Sequence, residues 1–292
     1  MRFYYINSKG DHLNFYDYPY LFQEGTLLDY SWSYETASGS RTFLKNVRHS
    51  TKERNFKLAI LPNYREYDGI YPSTQSEHCY KMYDLHEAAD RVYEVFEYDV
   101  VHDTDGKLYT DTGFYLPCRI MASSKSDWLT GVPYMFQEFT VVSAADVWIG
   151  EVQKSFAASQ DTAADGLDYL YDYPYDYAKA FAVSEIWNTG ALSASDFLLT
   201  VYGPCVDPTV FIGGAPHTVY ASIGEGEKLV IDSRDNTVKK ITPAGTSINM
   251  FDLRSKVYSV FAQIPPDAVI TWNGSFSFDI TAFVERSEPK WS

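Results

Sequence analysis

A period of two limits this chain more than anything else in it. Phe276, Phe278, Ile280 and Ala282 share one face of an extended backbone, while Thr281, Phe283 and Glu285 share the other. Asn273-Gly274, just ahead of them, is the strongest hairpin dipeptide in the chain and predicts a turn out of Ala268–Trp272. With Ser275 it also spells a glycosylation sequon, which the same turn accounts for. From residue 178 to 291 the pattern is strand throughout. Phe197–Tyr202 stops at Gly203-Pro204, and Val210–Ile212 stops at Gly213-Gly214. Lys228–Asp232 and Thr237–Ile241 frame a hairpin over Ser233–Asn236. Strands at this even spacing predict a β-sandwich.

The first half reads as strands around one helix. Phe3–Ile6 ends at a turn, Asn7-Ser8-Lys9-Gly10, and His12–Tyr16 resumes the alternation. Leu27–Tyr34 predicts a strand with Leu28, Tyr30, Trp32 and Tyr34 on one face. Ser38-Gly39-Ser40 reads as a loop or hairpin tip, and Phe56–Leu61 as the next strand. Leu108–Met121 predicts two strands divided at Gly113, then a polar loop over Ser123–Trp128 and a strand over Tyr134–Val142. Gaps of three and four between Tyr83, Leu85, Ala88, Ala89, Val92, Val95 and Phe96 predict a helix over about residues 80–97. Residues 150–167 are small and polar and predict a linker. The expected fold class is mainly β: an N-terminal β-domain with one α-helix over 1–149 and a C-terminal β-sandwich over 150–292.

Just after that linker stands Asp168-Tyr-Leu-Tyr-Asp-Tyr-Pro-Tyr-Asp-Tyr177. In an extended chain its tyrosines line one face and its aspartates the other. Pro174 has no N–H for a ladder, so the run is an edge strand or an arm. Tyr171, Tyr173, Tyr175 and Tyr177, together with Trp148, are the candidate interdomain or assembly contacts, because these rings bury area and keep a polar tip. An edge strand over its own core and a segment docking on a neighbour both fit the pattern.

The chain has 292 residues and a formal charge of −15, which argues against a protein that holds nucleic acid through its phosphates. Its 25 tyrosines and 18 phenylalanines favour strands and interfaces. Cys79, Cys118 and Cys205 are odd in number and far apart, which suits a reducing compartment. Met1–His12 has no long apolar core, so no signal peptide is expected, and no apolar run reaches membrane-spanning length. No catalytic residue, metal ligand or cofactor site is assigned. No Gly-x-Ser-x-Gly, phosphate loop or dinucleotide fingerprint occurs. His78 and His86 lack a third ligand at useful spacing. Asp103-Thr104-Asp105-Gly106 opens like a calcium loop but has no closing glutamate, and reads as a turn.

Several stretches, in order, resemble the distal tail proteins of long-tailed phages, chiefly those infecting Gram-positive bacteria. They are Ile6–Gly10 leading to Leu28–Glu35, Gly106–Tyr109 leading to Ser124–Trp128, and the Tyr171–Tyr177 run. Tyr202-Gly203-Pro204 and Asp207–Val210 then lead to Leu229–Ser233, Asn249-Met250-Phe251 and Pro289-Lys290-Trp291. The resemblance implies a virion tail protein made in the host cytoplasm and without enzymatic activity. It implies an N-terminal domain assembled into a hexameric ring and a galectin-like C-terminal sandwich outside it. The ring would be a hub between the tail tube and the tail-tip and receptor-binding proteins, with DNA only passing through its lumen. Some relatives carry an inserted carbohydrate-binding module, for which this chain has no room. Residues 62–80 are either an arm around a neighbouring subunit, by the same analogy, or a surface loop. The alternative function is host cell-wall recognition through sugar binding by the sandwich, since aromatics on such a face suit a saccharide.

Overall fold

The computed structural model describes residues 1–38, 42–49, 53–61, 82–126, 134–159 and 183–291. Two compact units make it up: Met1–Gly150 with Arg286–Ser292, and Glu151–Glu285. The tyrosine run, residues 62–80, Cys79 and His78 lie outside the described residues.

In the first unit one long strand, Phe114–Ser126, serves two neighbours. Its start pairs with Gly106–Thr110, which pairs with Phe3–Ile6 and then His12–Asn14. Its second half pairs with Met135–Val142, then Arg54–Ile60 and Tyr20–Gly25. The register shifts between Ile120 and Ala122, so Met121 has no partner residue and stands exposed. Such a bulge bends a strand and lets it leave one set of partners for another. The expected polar loop over Ser123–Trp128 is therefore a strand as far as Ser126. Its side chains face solvent, so periodicity could not reveal a ladder made by the backbone alone.

The helix runs over Met82–Val101 and packs against His12–Asn14, Arg54–Ile60 and Phe114–Ser126. Leu85, Ala88, Ala89, Val92, Val95 and Phe96 are all buried, as their spacing requires. The helix passes the expected end because Asp99, polar on paper, points inward. It accepts hydrogen bonds from Tyr5 Oη at 2.6 Å and from the Ser8 N–H at 2.7 Å. Asp103 then turns left-handed, φ 54°, and the Thr104 N–H closes onto the Asp99 carbonyl. Asparagine and aspartate are the non-glycine residues that best tolerate this helix-ending conformation.

The second unit is a sandwich. One layer includes Asp196–Tyr202 between Lys228–Asp232 and Phe278–Arg286, extended by Thr237–Ile241 and Ser247–Asn249. The other orders Val183–Asn188, Asp267–Trp272, Thr209–Ile212 and Ala215–Thr218. Phe197, Leu199, Val201, Phe278 and Ile280 meet Val210, Ile212, Ile270 and Trp272 in one apolar core. The expected hairpin at Asn273-Gly274 does not form. Asp267–Trp272 and Phe278–Arg286 belong to different layers, and the turn carries the chain between them. Asn273 Oδ1 accepts from the Ser275 N–H and hydroxyl, and Gly274 has φ 77°, so the turn chemistry was right. Burial decided the pairing: Trp272, Phe276 and Phe278 all enter the core. Nor are residues 150–156 a linker. They continue the strand Trp148–Phe156, whose Phe156 stacks on Phe278 with ring centres 4.7 Å apart.

Tyr202 Oη donates to Asp279 Oδ2 at 2.6 Å, and that bond, with burial, pushes the phenol up to about 12 from 10.0. The folded chain thus keeps this proton longer than the unfolded chain. The bond's contribution is full below about pH 10 and is lost as pH rises through about 12. Tyr202→Phe is expected to remove part of the fall in urea midpoint between about pH 9 and about pH 11.5.

Candidate assembly surface

Trp32–Ser38 and Thr42–His49 form a two-stranded ribbon that pairs with no other strand among the described residues. The strand expected over Leu27–Tyr34 starts only at Trp32, because the chain turns at Thr26–Asp29, where the Asp29 N–H bonds the Thr26 carbonyl. Leu27 is buried, while Tyr30 is exposed outside the ribbon. Opposite partners in a ladder share a face, so the register sorts the side chains. Trp32 with His49 and Thr36 with Leu44 lie on one face. Ser33 with Arg48, Glu35 with Lys45 and Ala37 with Phe43 lie on the other.

The ladder slips between Ser33 and Glu35, with Asn46 in the left-handed region at φ 50° and its amide on Glu35 Oε2 at 2.6 Å. This bulge places Lys45 and Arg48, three residues apart, on the same face. Alternation puts Tyr34 and Val47 on the Trp32 face. That face is apolar and unfilled: Tyr34 is 59%, Leu44 60% and Val47 51% exposed. A lone two-stranded ribbon is marginal in water, and an exposed apolar face marks a contact surface.

The ribbon's root is fixed. His49 packs its ring on Trp32 with centres 3.9 Å apart, and burial lowers the imidazole pKa. Behind it, Arg54 and Asp146 form an ion pair at 2.8 Å, each side chain 1% exposed. Arg54 Nε also donates to the Asp29 carbonyl at 3.0 Å. Asp29 in turn borders an open groove of about 750 Å³ within the first unit. Tyr16, Phe22, Leu28 and Trp291 supply its apolar walls, and Asp29 and Glu288 its carboxylates. Glu288 Oε1 accepts from the Trp291 indole at 2.9 Å, which sets that ring in the wall.

Of the residues singled out beforehand, Trp148 is fully buried in the first unit's core, 6.4 Å from the Phe3 ring and beneath Arg54. Tyr171, Tyr173, Tyr175 and Tyr177 fall outside the described residues. Leu44 and Val47 were missed because the bulge at Asn46 breaks the alternation that would have shown them. The groove was missed because turns and the returning 286–292 segment build it, and no spacing rule links them.

Three described features bear on metal or thiol chemistry. Asp103 and Asp105 are each bound by Arg119 at 2.6 Å, so a guanidinium neutralises the calcium-like pair. Among the described residues no group of three histidine, cysteine or acidic side chains is arranged to hold a metal ion. Cys118 is buried and Cys205 half-buried, both as free thiols. No described helix is long and apolar enough to cross a membrane.

The comparison with solved structures decides the fold. The Dit protein of SPP1, described as a hub adsorption apparatus in phages infecting Gram-positive bacteria, superposes with TM-score 0.59 at 11% identity, covering 98% of this chain and 100% of that one. The chain has the fold of the SPP1 Dit protein. A chain of the phage p2 baseplate in its activated conformation with calcium matches with TM-score 0.61 at 11% identity, covering 99% and 100%. The strontium form of that baseplate gives 0.61 at 12% identity over the same shares. No protein-family model and no curated protein matches the sequence. At such identities the backbone is kept while the side chains are replaced. The resemblance drawn from scattered motifs holds at the level of the fold, over nearly the whole of both chains.

Proposed function

We propose that this protein is a structural component of a phage tail, the hub that joins the tail tube to the tail-tip or baseplate and receptor-binding proteins. The observation that carries the reading is the shared fold with a tail hub over nearly the whole of both chains. The exposed apolar ribbon suits a protein whose work is assembly. In this reading the first unit builds a hexameric ring around a lumen that passes DNA, and the second unit lies outside as a galectin-like sandwich. A net charge of −15 suits a wall that DNA passes without sticking. The role is mechanical, without catalysis or cofactor, and its place is the virion tail. The tyrosine run at 168–177 is assigned to docking between units or neighbours. Native mass spectrometry of the full chain, with electron microscopy of the particles, tests the reading: rings of six support it, and a chain that stays monomeric up to about millimolar concentration overturns it.

A second reading rests on one observation in the second unit. A cleft of about 450 Å³ is lined by Phe211, Tyr220 and Tyr258 with the hydroxyl-bearing Thr218 and Ser255, and by no acid or base. Aromatic faces with hydroxyls and no charge suit a neutral saccharide. If cell-wall glycan is bound there, Tyr258→Ala weakens binding to neutral cell-wall oligosaccharides about tenfold in a calorimetric titration. Equal binding by both proteins removes this reading.

A further inference from the structure

Three exposed asparagines of the second unit make the same turn. The Oδ1 atoms of Asn188, Asn249 and Asn273 each accept the N–H two residues on, from Gly190 at 2.8 Å, Phe251 at 2.9 Å and Ser275 at 3.0 Å. Such a turn folds the side chain back along its own main chain and lays Cγ against the nitrogen of the residue between. At Asn188 and Asn249 that residue is Thr189 or Met250, whose side chain stands beside the nitrogen. At Asn273 it is Gly274, the one glycine that follows an asparagine anywhere in the sequence.

Asn273 differs in a second way. The Ser275 hydroxyl also donates to its Oδ1, at 2.8 Å, so two donors converge on one carbonyl oxygen. Donors placed there draw electrons from Cγ and stabilise the charge that develops on the oxygen when Cγ is attacked. Among the described residues no acceptor takes the Gly274 N–H, which leaves that nitrogen to act as a nucleophile. The peptide around it is held in place. Gly274 has φ 77°, and its carbonyl accepts the Ser159 N–H at 2.9 Å.

We propose that Asn273 is a self-modifying site that converts to aspartate and isoaspartate. The Gly274 nitrogen attacks Asn273 Cγ, and its proton passes to a base in the solvent. The Cγ–Nδ2 bond breaks, ammonia leaves, and a five-membered succinimide closes. Water then opens this ring at either carbonyl. One water is consumed and one ammonia released, with no change of oxidation state. Opening at Cγ restores the main chain and leaves aspartate. Opening at the main-chain carbonyl routes the chain through Cβ and Cγ and lengthens it by a single carbon. Either product adds a negative charge to a chain whose formal charge is already −15. The longer link falls between Trp272 and Phe276, 1% and 3% exposed, whose burial depends on the turn keeping its length. The site is thus a slow chemical clock set into the crossing between the sandwich layers.

The test is peptide mass spectrometry of the full-length folded chain during incubation in mildly alkaline buffer. Conversion at Asn273, a gain of about one mass unit, is expected about tenfold faster than at Asn188 or Asn249. Isoaspartate is told from aspartate by its resistance to a protease that cuts at aspartate. If Asn273 converts in concentrated urea and stays intact in the folded chain, the fold protects the site and the proposal is overturned. Ser275→Ala is expected to slow conversion several-fold in the folded chain and to leave the rate in urea unchanged. Equal slowing in both overturns the part assigned to the hydroxyl. Aged chains rich in isoaspartate are expected to unfold at lower urea than fresh ones, and an unchanged midpoint overturns the consequence for the core.

Discussion

Arg54→Ala is expected to lower the unfolding free energy of the first unit by about 3–5 kcal/mol, read from urea unfolding followed by tryptophan fluorescence. The magnitude follows from burial. Arg54 and Asp146 are each 1% exposed and 2.8 Å apart, and removing the cation strands a carboxylate in the dry interior. Asp146→Asn is expected to cost a similar amount by stranding the guanidinium. Asparagine is the right replacement because residue 146 sits at φ 51°, where a branched or bulky side chain would add strain. The pair, however, is expected to contribute little net. Arg54→Met with Asp146→Asn restores most of the loss, because methionine refills the volume beside Trp148 and no charge is left alone. A double mutant as unstable as the singles combined would show that the two side chains act independently. The single substitutions are also expected to loosen the ribbon, because His49 at its root lies within electrostatic reach of both charges. Amide exchange should rise across 42–49 before it rises in the helix.

What the sequence disclosed follows the range of the forces involved. The helix was legible because its six buried apolar residues recur at the period of one local structure. The sandwich strands were legible because each alternates against its own core; Phe197, Leu199 and Val201 are all within 1% of full burial. Choices made between distant elements were not legible. Asn273-Gly274 states that the chain turns and says nothing about which sheet receives the next strand. Asp99 looks like a solvent residue until Tyr5 and Ser8, more than ninety positions away in sequence, supply its donors. Much of the candidate surface was hidden for the same reason. Trp32 and Tyr34 were read as a strand face, correctly, but Leu44 joined them through its pairing with Thr36 and Val47 through the slip at Asn46. Aromatic character alone misleads about exposure: Trp148 is fully buried, while Tyr34 is mostly in water.

Phe96→Ala is the companion expectation, with a loss of about 3–5 kcal/mol in the same unfolding measurement. Phe96 is 3% exposed, and four rings close on it edge-on: Tyr5 at 5.2 Å, Phe15 at 6.4 Å, Phe56 at 6.3 Å and Phe139 at 5.1 Å. These rings come from three strands and from the turn just after His12–Asn14, so a single side chain holds the helix to both sets of neighbours of the long strand. Edge-to-face pairs add to plain area burial, and a cavity among large rigid rings collapses poorly, so the loss falls toward the upper end. Phe96→Leu keeps most of the volume and gives up the edge-on geometry, so it is expected to cost about half as much. The comparison with Arg54 separates two kinds of damage. Losing Phe96 frees the helix, so amide protection should fall first over residues 85–101, whereas losing Arg54 frees the ribbon. If protection falls at the same sites in both variants, the unit has no internal division and opens as one cooperative block.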